Sequence, residues 1–283
     1  TCMDSTVWVA SQPVADTKVV AQRSLTCGGG NAANSAVAAA RLRAPTDPPV
    51  RLVTKVGSDA HGAALIDELA RDGVDTRWCV RAAAGGGATP TSVILVCGAS
   101  RTIVHDPGLL LQSPLEAADF DGSGDGEWLA GAALLHLDGR HPAAALHAAR
   151  AARAAGVPIL LDVERPRPGL RELLPLVDYV VSSADYPGKL AVEDVEARDQ
   201  GQLGLIAAEN LIAAAEGRAW LPEELAMFVL EHCPNARWVC VTLGADGAVA
   251  VAADGEATRV PAWPLPAAAA GAIRDTTGAG DAF

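Results

Sequence analysis

The chain has 283 residues, 50% of them apolar and 20% charged, a balance that suits a packed soluble domain and excludes a collagen-like repeat, a coiled coil or a disordered tail. Lys and Arg number 22 against 34 Asp and Glu, a net charge of −12, so no field attracts a phosphate backbone and nucleic acid is excluded as a primary partner. Six scattered cysteines with no C-x-x-C pair read as small core residues of a reduced compartment, and no run of about 18 apolar residues could span a membrane.

In chain order, short β-branched runs alternate with Ala-rich helical stretches, which predicts a mostly parallel sheet covered by helices on both faces. A strand is expected at 7–10 and a helix at 35–42, after a Gly-rich run. Residues 50–56 (VRLVTKV) read as a strand stopped by Gly57-Ser58-Asp59, and 60–71 as a helix with Ala64, Leu65, Leu69 and Ala70 on one face, closed by Gly73. Strands at 91–97 and 101–104, near Gly85-Gly86-Gly87 and with no long helix between them, suit a small antiparallel sheet. Together with the first strand they predict a lid within 7–27 and 88–106. Further on come a strand at 134–137, a helix at 143–155 opened by Pro142 and stopped by Gly156, and strands at 157–163, 179–182 and 238–242. Residues 193–217 read as a surface insertion and 267–272 as a low-complexity loop. The chain opens at Thr1 without an initiator Met and stops at Phe283 in what reads as a helix just begun. The expectation is a single domain of 1–283 truncated at both ends.

Two Gly-rich clusters carry chemistry. In Asp275-Thr276-Thr277-Gly278-Ala279-Gly280-Asp281, small residues let a backbone approach a ligand, and a helix beginning there would aim unpaired N–H groups and the positive end of its dipole at one spot. Gly278, Ala279 and Gly280 could then hold a transferring phosphoryl group, with Asp281 beside it to accept a hydroxyl proton. Taken alone, the motif reads equally as a Gly-rich turn with Asp281 as helix cap. The second cluster, Cys27-Gly28-Gly29-Gly30-Asn31-Ala32-Ala33-Asn34, sets two Asn side chains three residues apart, a pairing suited to a vicinal diol. Alone it is more simply a structural turn. The two clusters together favour the chemical reading.

With these motifs, and with Val53-Thr54-Lys55-Val56-Gly57-Ser58-Asp59 and Gly73-Val74-Asp75-Thr76 between them, the chain resembles the ribokinase-like (PfkB) family of carbohydrate kinases. Within it the chain is most similar to ketohexokinase-like and plant or algal members, through Arg101-Thr102-Ile103-Val104-His105-Asp106, Leu137-Asp138-Gly139-Arg140 and Asp162-Val163-Glu164-Arg165-Pro166-Arg167. The resemblance implies an α/β fold, a ribokinase-like three-layer sandwich with a mostly parallel central sheet and a small β-sheet lid. It implies ATP-dependent phosphorylation of a sugar hydroxymethyl group, with Asp281 as base and Gly278, Ala279 and Gly280 as anion hole. Asp4, Asp16, Gly30, Asn31 and Asn34 would hold the sugar, Asp4 at the end of the first strand and Asp16 in the lid. Arg101 would approach substrate and phosphate, and Thr242, Gly244, Gly247 and Thr276 would line the nucleotide. ATP and Mg2+ are the implied cofactors, a small sugar the partner, a homodimer through the lid the conceivable assembly, and the cytoplasm, or a plastid, the location.

The family's usual Asn-x-x-Glu element, which helps organise magnesium, is replaced by Ser182-Ser183-Ala184-Asp185. The metal ligands are therefore left unassigned, with Glu164 or Asp185 at most assisting through water. His105, His136 and His141, and the six dispersed Trp residues, read as structural. Glu164, Arg165 and Arg167 fit either an internal ion pair or a cleft. Two other readings stay open: a nucleoside or inositol kinase of the same family, and a kinase-fold protein that has become a binding or scaffold subunit.

Overall fold

The computed structural model describes residues 1–98, 100–111, 113–121, 127–191 and 220–264. These fall into two compact units, residues 1–130 and 131–264.

The first unit is built on a four-stranded sheet in the order β2-β1-β5-β6. Its strands are β1 (Cys2–Trp8), β2 (Arg23–Gly29), β5 (Thr91–Cys97) and β6 (Ser100–Asp106). β1 pairs antiparallel with β2, from Cys2 opposite Gly29 to Trp8 opposite Arg23, and β5 pairs antiparallel with β6. The central pair, β1 with β5, is parallel, with Asp4 opposite Ser92. The sheet is thus mixed where an antiparallel one is expected. A long crossover carrying two helices separates β1 from β5 in sequence, and such a crossover is what a parallel neighbour requires. The first strand also starts earlier than residue 7, because Asp4 and Thr6, at 9% and 5% exposure, occupy buried positions that an apolar alternation would have revealed.

Between β2 and β5 lie α1 (Asn31–Leu42), β3 (Thr54–Val56), α2 (Ala60–Arg71) and β4 (Cys79–Arg81), with β3 and β4 a parallel pair. Ala33 and Ala36 of α1 pack with Leu52, Leu69 and Val74, while Met3, Val56 and Leu65 form a second cluster beneath β1. α1 begins four residues earlier than expected, with Gly30 as its N-cap at φ +97. The expected strand at 50–56 shortens to three residues, and Arg51 instead forms an isolated bridge with Asp75. α2 matches its expected span. Asp59 caps it by accepting the Gly62 N–H at 2.8 Å, and Gly73 leaves it at φ +85. A short helix, α3 (Ala118–Asp121), follows β6.

The second unit holds a six-stranded sheet in the order β12-β11-β10-β9-β8-β7. β7 (Leu135–Leu137), β8 (Ile159–Val163), β9 (Tyr179–Ser183) and β10 (Trp238–Thr242) run parallel. β11 (Ala248–Ala252) and β12 (Ala257–Val260) extend the sheet antiparallel. α4 (Pro142–Ala155) joins β7 to β8, with Pro142 in its first turn and Gly156 left-handed at its end, as expected. Its buried stripe is Ala144, Ala145, Ala148, Ala149 and Ala152. α5 (Pro222–Glu231) precedes β10. Ile159, Leu161, Val180, Val239, Val241 and Val249 are wholly buried, and the alternation and register place all six on one face of the sheet. Among the described residues no helix is long and apolar enough to cross a membrane.

Candidate functional site

Asp4 lies in the middle of β1, rather than at its end, and is buried. Its carboxylate sits directly over the glycine run that closes β2. A Cβ on Gly29 would come 2.0 Å from Asp4 Oδ2 and 2.6 Å from its Cγ, so only glycine leaves the carboxylate its place. Gly30 turns the chain into α1 at φ +97, a conformation other residues rarely adopt. Asn31 and Asn34 follow in the first helical turn, with the Asn34 N–H donating to Gly30 O at 2.9 Å. The loop is tied down from the other side by Glu68 of α2, whose Oε2 accepts the Gly28 N–H at 3.0 Å. Four of the expected sugar-binding residues, Asp4, Gly30, Asn31 and Asn34, therefore flank one glycine run, Asp4 from β1 and the others at the start of α1.

Asp4 is held by a sulfur. The Cys2 thiol donates to Asp4 Oδ1 at 3.1 Å. Burial first, and then the neighbouring carboxylate, push that thiol up to about 12, so it stays a donor at any physiological pH. Ser92 Oγ donates in turn to Cys2 Sγ at 3.8 Å and lies 3.2 Å from His105 Nδ1. The strand register explains the alignment: Cys27, Asp4, Ser92 and His105 form one row across all four strands. Sequence reasoning left Ser92 unmarked and read His105 as structural. No local signal marks them, because only the parallel β1–β5 register places them beside Asp4.

The remaining expected residues are more spread. Asp16 is exposed in the β1–β2 connection, at φ 60. Arg101 shares the sheet face of Asp4, but in the row of Trp8 and Val96. Four residues of strand, about 13 Å at 3.3 Å per residue, separate the two rows.

In the second unit, Thr242 ends β10, and its Oγ1 donates to Ser182 O at 3.3 Å. Gly244, at φ +61, opens a turn that closes at Gly247, at φ +89. A Cβ on Gly247 would lie 2.0 Å from Val260 O, so this glycine is demanded by the return of β11 against β12. Thr242 stands at the carboxyl edge of the parallel strands, where open α/β sheets take their ligands. Thr276, Gly278, Ala279, Gly280 and Asp281 lie outside the described residues.

Among the described residues, no set of donors suits a protein-held Mg2+. Glu164 is engaged by Arg140 at 3.0 Å, and Asp185 is 81% exposed with Lys189 at 3.6 Å. Among the described residues no three His, Cys, Asp or Glu side chains converge as metal ligands.

The model of the pfkB family of carbohydrate kinases matches residues 2–194 and 209–283. Among solved structures, the chain is similar to a ribokinase of Arabidopsis thaliana complexed with ribose and ATP, at 22% identity and a TM-score of 0.73, covering 100% of this chain and 80% of that one. It is similar to a ribokinase of Giardia lamblia at 18% identity and a TM-score of 0.73, covering 100% and 77%. A ribokinase of Cryptococcus neoformans in complex with ADP gives 20% identity and a TM-score of 0.68, covering 100% and 81%. At these identities the structures speak to the fold, which is α/β and ribokinase-like, with mostly parallel strands and a separate strand-rich sheet. With the family model matching nearly the whole length, the chain belongs to the pfkB family of carbohydrate kinases.

Proposed function

We propose that the protein transfers the terminal phosphoryl group of ATP to the hydroxymethyl oxygen of a monosaccharide, a ketohexose being the first candidate. The observation that supports this reading is the Asp4 carboxylate laid over Gly29, beside a helix start bearing Asn31 and Asn34. A fixed carboxylate and two amides can accept from and donate to several hydroxyls at once, which suits a polyhydroxy compound. The four-stranded sheet would serve as its lid, with Asp16 and Arg101 reaching it from there. ATP and ADP, the ligands of the Arabidopsis and Cryptococcus ribokinases, are the nucleotides expected here, lined by Thr242, Gly244, Gly247 and Thr276.

In the reaction, the sugar oxygen attacks the γ-phosphorus in line, the bond to the β-phosphate oxygen breaks, and ADP leaves. Asp281 takes the hydroxyl proton, and the amides of Gly278, Ala279 and Gly280 stabilise the charge that builds on the phosphoryl oxygens. No step is assigned to a protein-held metal. Removing a positioned base costs about 10² to 10⁴-fold. Asp281→Asn is therefore expected to retain sugar and nucleotide binding and to lose turnover by that factor. Asp4→Ala is expected to raise the sugar KM far more than it lowers kcat. ADP release measured over a panel of ketohexoses, aldopentoses, nucleosides and inositols checks both variants and the acceptor class. Unchanged kcat in Asp281→Asn would remove the base.

A further inference from the structure

On one face of the four-stranded sheet the polar side chains gather in a single row. Cys27, Asp4, Ser92 and His105 make that row, and Leu25, Thr6, Ile94 and Ile103 make the next. Cys2 stands two residues before Asp4 on β1 and so shares its face. Cys2, Asp4 and Ser92 are only 9%, 9% and 6% exposed. Buried polar groups cost folding free energy unless they are hydrogen-bonded, and here the bonds form one line that ends at the Asp4 carboxylate.

The line has a direction. The Ser92 hydroxyl carries one proton, which goes to Cys2 Sγ at 3.8 Å when His105, at 3.2 Å on the other side, donates from Nδ1. The Cys2 thiol gives its own proton to Asp4 Oδ1 at 3.1 Å. Every donor then points towards the carboxylate, which when ionised can only accept. Among the described residues only Oδ1 is engaged in this way, while Oδ2 lies over Gly29. A thiol is a weak donor, so the line adds little to stability. What it fixes is the rotation of the carboxylate.

We infer that Cys2, Ser92 and His105 are positioning residues, which hold Asp4 by Oδ1 and so present Oδ2, above Gly29, to a hydroxyl of the sugar. The inference rests on the reading of Asp4 as a sugar-binding carboxylate. Each of the three acts through the next, His105 from the exposed end of the line and Cys2 on the carboxylate itself.

The test measures ADP release from the whole protein with fructose, or with whichever monosaccharide of the panel turns over fastest, and checks each variant by urea unfolding. Cys2→Ala is expected to raise the sugar KM about five- to tenfold, with kcat and the ATP KM within about twofold. Cys2→Ser, which keeps a donor, should recover most of that loss. Ser92→Ala should raise the sugar KM about threefold alone and add nothing in the Cys2→Ala background, because it acts only through the thiol. His105→Asn, whose amide can donate from the place of Nδ1, should retain more sugar affinity than His105→Phe. Should Cys2→Ala fail to fold, the His105 pair reads the same line from its exposed end. Additive losses in the double variant overturn the line. Asp4→Ala separates the two ways of failing. If it raises the sugar KM while Cys2→Ala, Ser92→Ala and His105→Phe do not, the positioning role is overturned and the sugar reading stands. If it leaves KM unchanged, or if no sugar of the panel turns over, the reading falls and the inference with it.

Discussion

At the scale of single residues, the Asp4–Gly29 contact makes a sharp demand. A methyl group at Gly29 displaces the Asp4 carboxylate, because 2.0 Å is far inside van der Waals contact. At Gly28 the nearest atoms to a new Cβ are the Leu65 side chain at 3.1 Å and Glu68 at 3.4 Å, which can move aside. Gly29→Ala is therefore expected to raise the sugar KM at least tenfold while costing about 1–3 kcal/mol of stability by overpacking. Gly28→Ala should leave KM within a few-fold. Parallel measurement of KM and urea unfolding separates the two, and equal KM values would detach Asp4 from the sugar.

Asp59 makes a different demand. It accepts the Gly62 N–H at 2.8 Å, the Thr89 N–H at 2.8 Å and the Thr89 hydroxyl at 2.6 Å, while Thr89 Oγ1 itself accepts the Gly57 N–H at 2.9 Å. Read from sequence, Gly57-Ser58-Asp59 only stops a strand. In the fold it locks α2 to the start of β5. Asp59→Ala removes a cap and orphans a buried N–H of Thr89, which is 2% exposed, so a loss of about 2–4 kcal/mol is expected in urea unfolding.

Among the elements, those bounded by residues with one backbone habit were legible. α2 ends at a left-handed glycine, and α4 is opened by Pro142 and ended by Gly156. β1 was not legible over its full length, since Asp4 and Thr6 break the apolar alternation on the face that turns inward. The same cause hides half of the site. Asp4, Gly30, Asn31 and Asn34 announce themselves by local motif, whereas Ser92 and His105 join Asp4 only through a parallel register spanning 88 residues of sequence between Asp4 and Ser92. Long-range register leaves no local trace.

Another pairing of this kind holds α3. Lys55 of β3 reaches Asp119 Oδ2 at 3.0 Å and Pro114 O at 3.3 Å, with side chains only 11% and 14% exposed for the ion pair. Removing one partner of a largely buried pair strands the other, at a cost of about 3–5 kcal/mol. Lys55→Met is expected to cost about that much, and Lys55→Met with Asp119→Leu distinctly less, because the orphaned carboxylate is gone. A double-mutant cycle in urea checks the sign of the coupling.

For the whole molecule, the protonation shifts combine into a stability profile with two limbs. On the acid side, burial would raise the Asp59 carboxyl, but the Thr89 and Gly62 hydrogen bonds outweigh it and hold it below the ordinary 3.8. The Arg77 hydrogen bond does the same for Asp75, against burial. Burial holds His141 below 6.5. Each of these groups binds protons more readily unfolded, so its contribution is complete above the unfolded value and is lost as pH falls through the folded one. Glu231, raised by burial, opposes them. On the alkaline side, burial raises Cys2 and Cys233 from 9.0 to about 12 and Cys79 to about 11. Their contribution is complete below 9.0 and is lost as pH rises towards those values. The unfolding midpoint is therefore expected to be level between about pH 6.5 and 9.0 and to fall on either side. Cys233→Ala tests the alkaline limb specifically. At pH 7 the variant should be less stable than the unsubstituted protein, because a buried sulfur is missing. The gap should narrow steadily above pH 9, because only the cysteine must then remain a thiol against the solvent. A gap constant from pH 7 to 11 would mean that Cys233 ionises in the folded protein as readily as in the unfolded one.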